Sequence, residues 1–189
     1  MIMKKILLFF VFVLGVFACH AKGSKAKSFY FDGIELQHVK GWTITPSKEG
    51  MRTVIHCTTG LFHMTITKTG IAPSEYQDGS ALDNKQLERQ LIHQGELLTE
   101  AFMNSTGKGP IVKEVSEVMD GYISSFPAKY IDLSCTKQVR IRLYAFTAHN
   151  SLIFISCTGR GSVAIFEKNF GKILSSFTFI PESGTNRLF

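Results

Sequence analysis

The chain has 189 residues, 44% of them hydrophobic, with 21 Lys+Arg against 15 Asp+Glu. That length supports one domain with a real core and is too short for two. The basic excess suggests nucleic acid, but Lys4 and Lys5 lie in an N-terminal leader. Losing them leaves 19 basic against 15 acidic residues, a net +4, and Lys22, Lys25 and Lys27 sit just after the leader. The remaining body is nearly balanced and has no stripe of interleaved aromatic and basic residues, so nucleic acid is excluded as a partner.

The leader begins Met1-Ile2-Met3-Lys4-Lys5 and continues apolar from Ile6 to Phe17. A basic n-region and a short apolar run, below the ~20 residues that span a bilayer, predict a secretory signal peptide over residues 1–18. Val16-Phe17-Ala18-Cys19 resembles a bacterial lipobox, with Phe17 departing from the usual small or hydroxyl residue. On that reading Cys19 is the lipidated first residue, and each acyl CH₂ buried in a membrane is worth ~0.8 kcal/mol. The alternative is ordinary cleavage after Ala21, because Cys19 and Ala21 also supply small side chains where cleavage needs them. Both routes export the protein to the periplasm or cell envelope. Residues 19–28 read as a tether, followed by a single domain over 29–181 and a frayed tail over 182–189.

Phe29 to Leu36 predicts a small hairpin turning on Asp32-Gly33. Trp42, beside Gly41, is large enough to plug one end of a sheet, on a strand expected to end at Pro46. Met51–Cys57 and Leu61–Thr67 predict a second hairpin. A turn at Thr59-Gly60 would pair Cys57 with Phe62, Ile55 with Met64 and His56 with His63. Two facing imidazoles suit a transition metal or a pH-sensitive contact. A metal needs another ligand that no spacing supplies, so the expectation is no metal and no cofactor, with His56 and His63 ordinary half-buried or surface residues.

Residues 73–80 read as a loop. From Leu82 to Asn104, Leu87, Leu91, Leu98 and Phe102 recur at helical spacing. Gly95 lies near the middle of that stripe, where it lets the helix approach a sheet closely. Ser80 or Asp83 is placed to cap the start, and Gly107 the end. Glu96 and Glu100 are one turn apart, on what reads as a solvated face and not as a catalytic pair. Thr106 to Pro110 lacks the full phosphate-loop pattern. Ile111–Met119 reads as a polar edge strand turning on Asp120-Gly121 into Tyr122–Phe126, with Pro127 at a bulge or edge.

The densest pattern follows, predicting strands Tyr130–Cys135, Val139–Thr147 and Ser151–Cys157. A three-residue loop at Thr136-Lys137-Gln138 pairs Leu133 with Ile141 and Ile131 with Leu143 on one face. The other face pairs Ser134 with Arg140, Asp132 with Arg142, and Tyr130 with Tyr144. His149-Asn150 suits a two-residue turn. Leu152 to Ile155 are apolar in succession, so both faces of that strand need cover. Ser162 to Ser176 predicts a second helix presenting Ile165, Phe166, Phe170, Ile173 and Leu174, and Phe177–Ile180 a short strand or packed tail.

Cys57, Cys135 and Cys157 survive either cleavage, an odd number. Cys135 and Cys157 fall on opposite faces. Cys57–Cys135 stays open as a disulfide, against the reading of three buried free thiols.

The order of motifs resembles the Mog/PsbP-like superfamily, with its exported and lipoprotein, DcrB-like bacterial members. It is carried by Val39-Lys40-Gly41-Trp42, Met119-Asp120-Gly121-Tyr122, Phe126-Pro127-Ala128 and Ile173-Leu174-Ser175-Ser176-Phe177. The resemblance implies an α+β fold, an antiparallel sheet of about six strands between helices (an α/β/α sandwich). It also implies a non-enzymatic binding module with an unidentified protein partner, since known members hold a nuclear-transport GTPase or a photosystem, and it carries over no catalytic motif. The expectation is a monomeric envelope module, tethered to a membrane through its lipid. Candidate contact residues are Tyr130, Arg140, Arg142 and Tyr144, against the reading that they form an internal salt-bridged layer. Two alternatives stand beside it: a carrier of a small apolar ligand or lipid, and a metal-dependent or Cys/His hydrolase. The hydrolase meets an immediate difficulty, because His56 and Cys57 are adjacent on a strand and point to opposite faces.

Overall fold

Alternating apolar and polar residues, folded back by tight turns, build most of the domain. The computed structural model describes residues 28–37, 40–70, 84–104 and 110–180. The leader, most of the tether with Cys19, the 73–80 loop, the caps at Ser80, Asp83 and Gly107, and the tail lie outside the described residues. The strands are β1 (Phe29–Phe31), β2 (Ile34–Leu36), β3 (Thr43–Glu49), β4 (Arg52–Thr59), β5 (Phe62–Gly70), β6 (Val112–Val115), β7 (Met119–Ile123), β8 (Phe126–Cys135), β9 (Val139–Ala148), β10 (Ser151–Arg160) and β11 (Phe177–Phe179). Helix α1 spans Asn84–Asn104 and α2 spans Val163–Ser175.

The main antiparallel sheet has eight strands, in the order β3-β4-β5-β10-β9-β8-β6, with β7 also paired to β8. A second sheet, β1-β2-β11, has three. The expectation of about six strands falls short for local reasons. β3 runs through Pro46 instead of ending there, since an edge strand tolerates a missing donor. The stretch read as one strand, Ile111–Met119, is divided between β6 and β7, which pair one after the other with β8. The turn into β8 falls at Ser124-Ser125, with Ser124 at φ 54°, and not at Asp120-Gly121. Gly121 lies inside β7, where the Tyr130 ring occupies the space a side chain would need. Pro127 precedes the β8–β9 ladder, which begins at Lys129.

The meander has the expected register: Leu133 faces Ile141, Ile131 faces Leu143, Asp132 faces Arg142 and Tyr130 faces Tyr144. His149 and Asn150 both have positive φ, as a two-residue hairpin of this twist requires. The β4–β5 hairpin differs. Cys57 pairs with Met64, Ile55 with Ile66 and Thr58 with His63, and the turn is Gly60-Leu61. A two-residue shift leaves every side chain on its own face, so alternation is blind to it. Gly60, at φ 54°, sets the turn.

The core has two layers. On one face of the main sheet Leu87 and Leu91 of α1 pack with Ile131, Leu133, Cys135, Ile141, Leu143 and Ala145, and Leu98 joins them. Phe102 has no described side chain. Gly95 lets α1 sit close: a Cβ there would lie 2.7 Å from Ile131 Cδ1. On the other face α2 buries Phe166, Phe170, Ile173 and Leu174 together with the small sheet. Ile165, expected on that buried side, is 48% exposed. Trp42 is half-buried against the same layer, its ring 5.7 Å from that of Phe170. β10 is covered on both faces, Ile153 and Ile155 by the α2 layer, Leu152 and Phe154 by the α1 layer.

Candidate binding groove

The polar rungs of β8 and β9 place four named candidates on the α2 face. Arg142 grips Asp132 with two bonds, Nε to Oδ1 at 2.6 Å and Nη2 to Oδ2 at 2.8 Å. Its guanidinium lies 4.9 Å from the Tyr130 ring and 5.9 Å from Phe166, donates to the Tyr144 hydroxyl at 3.4 Å, and stands 3.7 Å from Glu167 of α2. The bond to Asp132 holds Arg142 more firmly protonated than usual. Burial pushes the Tyr144 phenol up to about 12. Arg142 and Tyr144 thus belong to an internal charged and aromatic layer joining sheet to helix, with Tyr130 packed at 5.5 Å from Tyr144.

Arg140 is different. It faces Ser134 across the ladder, is half-buried, and forms no ion pair among the described residues. Two adjoining clefts share Ser134 and Arg140. One, of about 170 Å³, is lined by Arg140 and Arg142, by Asp132 and Glu114, and by Val163 and Phe166. The other, of about 400 Å³, opens between Lys113, Arg140 and Ser162. Ser162 caps α2, accepting from the Ile165 amide at 3.4 Å. Val163 of the first cleft is 43% exposed, and Ile165, 48% exposed, lies beside Gly161 of the second.

His56 and His63 do meet, but diagonally, with parallel rings 5.7 Å apart. His56 Nδ1 lies 3.3 Å from Thr65 Oγ1. Burial lowers both imidazole pKa values, and the His56 charge lowers that of His63 further. Among the described residues no set of three or more His, Cys, Asp or Glu gathers to hold a metal.

Cys57, Cys135 and Cys157 are free and buried. Cys57 and Cys157 flank Met64 on one face, two strands apart, and Cys135 packs under α1 on the other. The sheet itself therefore rules out a Cys57–Cys135 bridge. Two strand spacings, roughly 9.5 Å, also exceed the ~7 Å reach of a disulfide between Cys57 and Cys157. Burial raises the Cys57 thiol to about 12 and Cys157 further still, which suits packing and not nucleophilic attack.

One polar network escaped sequence reasoning. Asp32, in the β1–β2 turn, accepts from Thr53 and from Lys68 at 3.1 Å, and Lys68 also donates to its carbonyl at 2.8 Å. Burial opposes ionisation of Asp32, but the Thr53 and Lys68 bonds outweigh it and hold the carboxyl below its usual value. This network fastens the small sheet to the large one. Lys113, Glu114 and Val163 were also missed as groove residues. Only the tertiary approach of β6 to the start of α2 unites them, and no local spacing signals that.

No family model and no curated protein sequence matches the chain. Among solved structures it is similar to cyanobacterial PsbP (CyanoP) from Synechocystis sp. PCC 6803, with a TM-score of 0.56 at 12% identity over 87% of this chain and 98% of that one. It is also similar to a mutant of protein Mog1, with a TM-score of 0.49 at 8% identity over 85% and 98% of the two chains. The order of motifs thus leads to the architecture found, and this chain has the mixed α+β, Mog/PsbP-like fold of cyanobacterial PsbP.

Proposed function

We propose that this protein is an exported, lipid-anchored module of the cell envelope that binds a protein partner and performs no chemistry on it. The observation that carries this reading is the groove at the start of α2, where Arg140, which forms no ion pair among the described residues, shares a cleft with the exposed Val163. A cationic group beside apolar side chains, on a rigid sheet and helix, is the chemistry of a protein contact. The thiols lie buried in the core and are raised in pKa, which weighs against the hydrolase reading. The close seating of α1 on Ile131 fills the layer where an apolar ligand would lie, which favours the partner reading over the carrier. No described helix is long and apolar enough to cross a membrane, and the attachment proposed is through a lipidated Cys19.

The test is site-specific photo-crosslinking in intact cells from position 165, with exposed Gly50, in the β3–β4 turn, as control. A discrete crosslinked protein from position 165 and none from position 50 supports the reading. Equal labelling from both positions, or none from either, rejects it.

A further inference from the structure

Arg140 and Arg142 lie two residues apart on one face of β9, yet their surroundings differ. Arg142 is shared among two carboxylates and two rings. Arg140 pairs with Ser134 and Gly159 across the ladders and forms no ion pair among the described residues, although Asp132 and Glu114 line the same cleft. A half-buried guanidinium outside an ion pair bears a desolvation cost that a carboxylate brought to it would offset. Lys113, likewise without an ion pair among the described residues, lines the wider cleft, and no acidic side chain does. The narrower cleft combines Arg140 and Arg142 with the apolar Val163 and Phe166, and Glu114 and Asp132 also line it.

We propose that this groove binds an acidic segment of the partner protein. A carboxylate of that segment sits on the Arg140 fork with Lys113 beside it, and a neighbouring apolar side chain rests on Val163. The inference deepens the protein-binding reading and rests on it. A guanidinium fork matches carboxylate and phosphate alike, so charge alone does not choose the occupant. The adjoining wall does: a polypeptide presents an acid and an apolar side chain a few ångströms apart, whereas a free anion uses only half the groove. Glu114 and Asp132, which line the same cleft as Val163, repel a second acid there, so the groove takes one carboxylate and not a run of them. The wider cleft, about 400 Å³, lies within the range of small-ligand sites and suits one side chain and its flanking backbone.

The mature protein is titrated by fluorescence anisotropy against a fluorescein-labelled octapeptide of alternating glutamate and leucine, and against its glutamine counterpart. Inorganic phosphate serves as competitor, and phosphatidylglycerol vesicles are assayed separately. The glutamate peptide is expected to bind at least about tenfold tighter than the glutamine peptide, and Arg140→Gln to weaken it by about tenfold, as loss of a charge-assisted bond implies. Val163→Ser weakens it a few fold. Circular dichroism of Arg140→Gln should match the wild type, since Arg140 joins no ion pair among the described residues. No binding of the glutamate peptide, or equal binding by wild type and Arg140→Gln, overturns the inference. So does displacement by phosphate as effective as by unlabelled peptide, or vesicle binding that depends on Arg140 where peptide binding does not. Crosslinking from position 165 that survives Arg140→Gln leaves the binding-module reading standing and removes only the acidic segment. Absence of crosslinking removes the module reading itself.

Discussion

Arg142 keeps its charge in a largely covered layer because Asp132, Tyr144, Glu167 and two aromatic faces share it. Removing one partner costs more than the pair is worth, since the remaining charge stays desolvated. Asp132→Ala should therefore destabilise the protein by about 2 kcal/mol in urea titration. That is below the ~3–5 kcal/mol of a fully buried pair, because the Asp132 side chain is 39% exposed and partly screened. The histidine pair gives a pH signature. Both folded-state pKa values lie below the ordinary 6.5, so the unfolded chain binds protons more readily. Their penalty is absent above about pH 6.5 and grows as pH falls below it. Urea midpoints measured at pH 8, 6 and 5 should fall toward acid, and the fall should be shallower in the double variant His56→Gln, His63→Gln. The pairing of Asp132 with Arg142 and of Tyr130 with Tyr144 was legible in the sequence, because a one-residue slip would have scrambled both faces. That Arg140 forms no ion pair among the described residues was not legible, since it depends on how β6 and α2 close around it.

Helix α1 owes its seat to Gly95. Alanine would gain about 1 kcal/mol of helix propensity, but its methyl would press on Ile131 Cδ1. Gly95→Ala should therefore be close to neutral, and Gly95→Leu should cost about 2–3 kcal/mol through overpacking. In a double-mutant cycle, Ile131→Val should relieve the alanine, so that the two changes together cost less than their sum. Calorimetric unfolding of the four proteins reads this directly. That glycine's role was visible in the apolar stripe around it. The β4–β5 register was not, because faces survive a two-residue shift and only the Gly60-Leu61 turn discriminates. The division of the Ile111–Met119 stretch also escaped, since β6 and β7 are short and polar and take their identity from the edge of β8. Pro46 misled for a related reason: a proline looks like a terminus unless the strand is known to be outermost.

The described residues form two unequal sheets and two helices, with a clamp at Asp32 between the sheets, on a body proposed to hang from Cys19. If the anchor is as proposed, Cys19→Ser should abolish labelling by a palmitate analogue and release the protein from membranes into the soluble envelope fraction. Retention of label or of sedimentation in that variant would return the leader to ordinary cleavage after Ala21. The α2 face carries the groove at the helix start and, further along the same helix, Phe170 against Trp42, the one indole of the chain. That solitary fluorophore makes the protein its own optical gauge. Any occupant that tilts α2 should alter the emission of Trp42 without a dye or a tag, so engagement at one end of the helix can be followed as light from the other.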